Sequence, residues 1–151
     1  MAHNSGRELI ILNLISDLNN LDCIHSIERK HPVTIEEVES IPSTLLPFVG
    51  ILGGLPAPID YKGLSRNQNQ ISVYSKLAIR LRFIALQEKD ADYWISYHLD
   101  EVWRAVMSNN NRSNMAEKTE IDSEYISEIF PPYIGFELTI NVFYQHTQNG
   151  I

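Results

Sequence analysis

The chain has 151 residues, 19 acidic against 12 basic, a formal charge of −7 and 44% apolar residues. That hydrophobicity excludes disorder, and the length fits one soluble, intracellular-type α+β domain over residues 1–151. The acidic balance argues against a generic nucleic-acid binder, and the lone Cys23 excludes a disulfide framework or a Cys-based zinc site within one chain.

The first residues lack the charged and apolar regions of a signal peptide. Strictly apolar runs, such as 9–12, reach only four residues, so no membrane-spanning segment is expected. Ser5 is placed to cap a helix running to about Asn20, and Glu8 three residues later completes the spacing of a capping box. Ile11, Leu14, Ile15, Leu18 and Leu21 form its apolar stripe, with Ile10 beside it. Leu9 and Leu12 fall off the stripe.

Residues 23–29 read as a short strand with β-branched Ile24 and Ile27. Residues 34–47 read as an irregular connection with one helical turn. An apolar strand over 48–52 is closed by Gly53, Gly54, Pro56 and Pro58. Residues 60–70 are polar and read as a mobile loop. The clearest strand spans 73–85: Val73, Leu77, Ile79, Leu81 and Phe83 face one way, Lys76, Arg80, Arg82 and Ile84 the other.

Asp90 or Asp92 caps a second helix with a stripe of Ala91, Ile95, Leu99, Val102 and Val106. Residues 109–120, rich in asparagine, read as a second mobile loop. A short strand is expected within 121–130, and Pro131-Pro132 breaks it. Residues 133–144 alternate, with Ile134, Phe136, Leu138, Ile140, Val142 and Tyr144 on one face. The polar tail from Gln145 is expected to fray. The expected order is α-β-β-β-α-(β)-β: a mostly antiparallel or mixed sheet with helices packed on one face.

No catalytic grouping follows from the spacing. The five histidines include no H-x-x-x-H or H-E-x-x-H pair. Glycines 50, 53 and 54 lack the lysine and serine of a phosphate loop and read as a turn or a close approach. Cys23 reads as a small buried residue rather than a thiolate, and His98 as a hydrogen-bonded residue at the boundary of the second helix rather than a base. No enzyme activity and no cofactor are expected.

What remains is surface. Ile41, Leu45, Leu46, Phe48, Leu55 and Ile59 lie in a stretch too irregular to bury them all, and Ile84 and Phe143 lie on polar strand faces. Residues 60–89 hold six basic and two acidic residues, a local +4. Residues 117–137 hold six acidic residues and Lys118, a local −5. Either Glu137 is the cross-strand partner of Arg80 and Arg82, or the acidic run belongs to a neighbouring copy and the arginines close a ring. The second is the preferred expectation.

The element order carries a resemblance. A leading amphipathic helix is followed by a short strand and an acidic connection. Leu46-Pro47-Phe48-Val49 then enters the apolar strand, and the long alternating strand precedes a helix carrying Leu99-Asp100-Glu101-Val102-Trp103-Arg104-Ala105-Val106. The final strand is Phe136-Glu137-Leu138-Thr139-Ile140-Asn141-Val142-Phe143-Tyr144. Over nearly the whole chain this resembles the tail terminator, or tail completion, proteins of long-tailed bacteriophages and related tail-like particles.

The resemblance implies a homo-hexameric ring on the last ring of tail-tube protein, which stops polymerisation and offers a surface to the head connector or neck protein. The sheath protein is a further candidate partner, DNA passes only as cargo, and no membrane is involved. The location implied is the head-proximal end of the virion tail, reached through the host cytoplasm. Candidate contacts with other subunits or the tube are Lys76, Arg80, Arg82, Glu124, Glu128 and Glu137, with Phe48, Leu55, Ile59, Tyr61, Arg66 and Phe143. Two alternatives stand beside it. One is a neck or head-closure adaptor. The other is a small-molecule-binding or enzymatic domain with Glu36, Glu37, Glu39 and His98 around a cleft.

Overall fold

The computed structural model describes residues 5–32, 34–64 and 71–147. The elements follow the chain as α1 Gly6–Asn19, β1 Ser26–Glu28, α2 Ile35–Glu39, a 3₁₀ turn Ser43–Leu45, β2 Phe48–Gly53 and β3 Ala57–Leu64. Then come β4 Ile71–Leu86, α3 Ala91–Met107, β5 Lys118–Ile121, β6 Ile126–Phe130 and β7 Tyr133–Thr147. The fold is α+β with a mixed seven-stranded sheet.

The sheet is built on one long antiparallel ladder. β4 and β7 pair from Ser72↔Thr147 to Leu86↔Tyr133. The other edge of β4 is shared by β2, opposite residues 79–84, and β3, opposite 71–76; β1 adds to β2 in parallel. The other edge of β7 is shared by β5 and β6. Period-2 alternation sets which face is buried. Leu77, Ile79, Leu81 and Phe83 of β4 and Phe136, Leu138, Ile140 and Val142 of β7 are all buried under α1 and α3 in one cluster.

α1 buries Ile10, Ile11, Leu14 and Leu18 and exposes Leu9 and Leu12, as the stripe predicts. Ser5 caps it by accepting from the Glu8 amide at 3.2 Å. The reciprocal half of the box is replaced: the Glu8 carboxylate accepts from Arg29 instead, which ties α1 to the end of β1. Arg29 also holds the Glu8 carboxyl below the usual range.

Three expectations are corrected. The first concerns strand β3 and the end of β7. Residues 60–64 are not loop but the second half of β3. Pro58 is tolerated there because β3 is an edge strand, and two register shifts absorb the irregularity. Residues 145–147, expected to fray, continue β7. Residues 65–70 and the tail beyond Thr147 lie outside the described residues. The second concerns the 109–120 segment, which is not an unanchored loop. It is a chain of turns leading into β5, pinned by the fully buried Arg112, whose guanidinium donates to the Asn109 carbonyl at 2.7 Å and to the Val106 carbonyl. Arg112, Ser113 and Asn114 all have positive φ, the conformation such a reversal needs.

The third correction concerns layers. The two long helices share one face, but α2 and the 3₁₀ turn cover one end of the other. There Val38, Ile41, Phe48 and Ile84 form a second small core, with Leu45, Leu46, Phe130 and Tyr133 around it. Thr34 starts α2 with a full capping box, accepting from the Glu37 amide at 3.2 Å. Gly50 lets the segment leading into α2 cross β2 closely, because a Cβ there would lie 2.2 Å from the Lys30 carbonyl oxygen. Ile41, Phe48 and Ile84, taken from the sequence as surface, are therefore buried within the chain.

Candidate functional site

The sheet face opposite α1 and α3 gathers most of the charged candidates. In-register pairing sets Arg82 across from Glu137 and Arg80 across from Thr139. Arg80 Nε and Nη2 donate to Glu137 Oε1 at 2.9 and 2.5 Å. Arg82 Nη2 donates to Glu128 Oε2 at 2.7 Å, and its Nη1 lies 3.7 Å from Glu137 Oε2. His31 Nε2 lies 3.4 Å from Glu137 Oε1. Burial lowers the His31 pKa more than the Glu137 carboxylate raises it, so the ring stays neutral near pH 7 beside Arg80 and Arg82.

This corrects the preferred seam. The carboxylates that answer Arg80 and Arg82 come from the same chain, one from the neighbouring strand β7 and one from β6. Arg82 is buried and no longer a free contact group; Arg80 is exposed but paired. Glu124 is exposed between β5 and β6. Lys76 is exposed across from Phe143 on β7. Phe143 is half-buried, stacked on Tyr74, with Lys118 Nζ 4.8 Å from its ring centre. Leu55 is 77% exposed and Ile59 is also exposed. Tyr61 lies on β3 by its backbone, and Arg66 lies outside the described residues.

Beside this charged cluster, α2 and β6 bound a groove of about 410 Å³, lined by Ile35, Val38, Arg82, Glu128, Ile129 and Phe130. Sequence reading missed it. Its signal was present in the alternation of Ile126, Glu128 and Phe130, but the strand was too short to assign a face.

A second cleft, of about 440 Å³, lies between the start of α3 and the 3₁₀ turn. It contains Cys23, Trp94, Tyr97 and His98. His98 is only 2% exposed, and no partner for either ring nitrogen is found among the described residues. The expected boundary histidine with a hydrogen bond is thus a buried one packed on aromatics, its ring 4.7 Å from Phe83 and 4.8 Å from Trp94. The helical spacing of Ile95, His98, Val102 and Val106 carried that signal. Burial pushes its pKa down to about 4, and burial followed by the charge of Glu101 raises the Cys23 thiol. A neutral imidazole and a protonated thiol form no activated pair. Glu36, Glu37 and Glu39 sit on α2, against the opposite face of the sheet, so they do not converge with His98.

Among the described residues no three metal-ligating side chains cluster, and no helix is long and apolar enough to cross a membrane. No protein-family model matches the chain, and no curated protein matches its sequence.

Proposed function

We propose that the chain is a structural, non-enzymatic protein of a phage-type tail, a terminator that assembles as a ring on the tail tube. The supporting observation is the order of elements quoted above. The leading helix, the Leu46-Pro47-Phe48-Val49 strand, the long alternating strand, the helix and the closing strand belong to one sheet-and-helix unit, with β3 in place of the polar loop of the resemblance. Exposed apolar side chains at Leu55, Ile59, Ile126 and Ile129 add surface of the kind a neighbouring subunit covers.

In this reading the mechanism is binding without turnover. A ring needs the same two unlike patches on every copy, meeting head to tail and closing by rotation. Its acidic balance is compatible with a channel that lets DNA pass without gripping phosphates. Deleting the gene from a tailed particle that encodes it tests the reading. Tubes of uncontrolled length without heads are expected. Tubes of normal length that lack heads would assign the chain to the neck or head-closure class instead. Normal, infectious particles would reject both.

A further inference from the structure

The ring reading leaves open which surfaces meet, and two unlike exposed features of the sheet fit one another. The first is a knob. Between β2 and β3 the chain turns outward, with Leu55 77% exposed and Ile59 on the following strand also exposed. The turn is held by Arg7, which donates to the carbonyls of Gly53 and Gly54 at 3.0 and 2.8 Å. A side chain at Gly53 would press on the ends of the Ile11 and Arg7 side chains, which would have to shift. Residues 52–59 contain no charged side chain. Two cations, Arg7 on α1 and Lys76 across from Ala57 on β4, stand beside them against one exposed carboxylate, Asp60, which follows Ile59.

The second feature is the α2–β6 groove. Ile35 at its side is 58% exposed, while Val38 and Phe130 are continuous with the small second core; Ile129, in register with Ile134, turns its side chain to the other face of β6. Its surroundings are acidic: Glu36 and Glu39 on α2 and Glu124 before β6 are all exposed. The one cation among its described lining residues, Arg82, is buried and paired with Glu128. An apolar knob beside cations thus meets an apolar groove beside carboxylates.

Knob and groove cannot meet within one chain. β3 pairs with residues 71–76 of β4, on one edge of the long ladder. β6 pairs with residues 133–137 of β7, on the other edge and at the other end. The geometry points to a head-to-tail contact in which the Leu55–Ile59 knob of one copy seats in the α2–β6 groove of the next. This rests on the ring reading and names the two surfaces that would close it. Such a contact repeats on every copy, so it propagates into a ring or filament rather than stopping at a dimer.

The test uses the full chain and two variants at exposed positions, Leu55→Asp and Ile35→Asp, each checked for an unchanged melting curve. Sedimentation and native mass spectrometry are run at the highest soluble concentration. Wild type is expected to assemble beyond dimers, and each variant alone to stay monomeric. An equal mixture should give a dimer and nothing larger, because it restores one intact knob and one intact groove. Variants that assemble like wild type would overturn the proposed contact while leaving the ring reading intact. A mixture that stays monomeric would also overturn it, and so would a wild type that stops at dimers. A wild type that remains monomeric would count against this contact as the source of assembly. If deletion of the gene then leaves tail length normal, the ring reading falls with it.

Discussion

His98 sits under α3 with no hydrogen-bond partner on either ring nitrogen among the described residues, so its cost is carried by the charged form. Its pKa is pushed down to about 4 from an ordinary 6.5. Between those values the unfolded chain binds a proton that the folded chain does not. Stability therefore rises with pH through this window and is complete above about pH 6.5. As pH falls from 6.5 to 4, up to about 3 kcal/mol is lost at this residue. His98→Phe keeps the aromatic packing and removes the titration. Its melting temperature should fall less than that of wild type over the same range, and equal slopes would contradict the assignment. Arg112 is the opposite case, buried but held by charge and backbone. Its Nη1 lies 3.2 Å from Asp17, and its Nε and Nη2 answer two backbone carbonyls at the end of α3. Burial lowers its pKa and Asp17 raises it, the first effect being larger. Arg112→Ala removes the pin of the 109–117 turns and strands the carbonyls. A loss of about 3–5 kcal/mol is expected in urea melts, and a loss below about 1 kcal/mol would show that the turns hold themselves.

On the sheet, Arg80 and Arg82 project from the same face two residues apart, yet they are not equivalent. Arg80 is half-exposed, and Glu137 keeps Arg82 near it when Arg80 is removed, so Arg80→Ala should cost less than about 1 kcal/mol. Arg82 is buried between Glu128 and Glu137, so Arg82→Ala leaves two carboxylates facing each other. About 1.5–3 kcal/mol is expected. Equal costs in denaturant melts would mean that β6 does not hold Glu128 over Arg82. This difference was invisible in sequence, where the two arginines share one alternating pattern; burial came from β6 and α2, elements too short to read. Strong periodicity did transfer. The period-2 faces of β4 and β7 and the stripes of α1 and α3 were legible because each is long enough for its pattern to repeat. β3 was not, because Pro56, Pro58 and a polar run look like a loop wherever a strand has only one neighbour. Arg112 was not legible either, since a lone arginine among asparagines gives no sign that backbone carbonyls will surround it. Of the interface candidates, Leu55 and Ile59 are exposed, whereas Phe48 and Arg82 became interior because α2 folds back across the second face.

At the scale of the molecule, stability is concentrated in the β4–β7 ladder and thins toward both edges. Residues 77–83 and 136–142 have partners on both sides for most of their length and lie beneath α1 and α3. β3 and β6 each pair with one neighbour only, and their described apolar side chains are largely exposed. Local opening should therefore begin at these strands, while central amides wait for global unfolding. In dilute solution, hydrogen exchange should be slowest around Ile79 on the ladder, at residues 77, 81, 138 and 140, and fastest within the sheet in β3 and β6. Leu81→Ala, expected to cost about 2–5 kcal/mol, should lower protection across the whole ladder together, because those amides share one unfolding event. The edges should respond differently to concentration. If β6 and the knob meet on neighbouring copies, their protection rises as the protein is concentrated while the ladder's does not. Protection in β6 equal to that of residue 140 at every dilution would contradict this gradient and show the sheet to be one cooperative unit out to its rim.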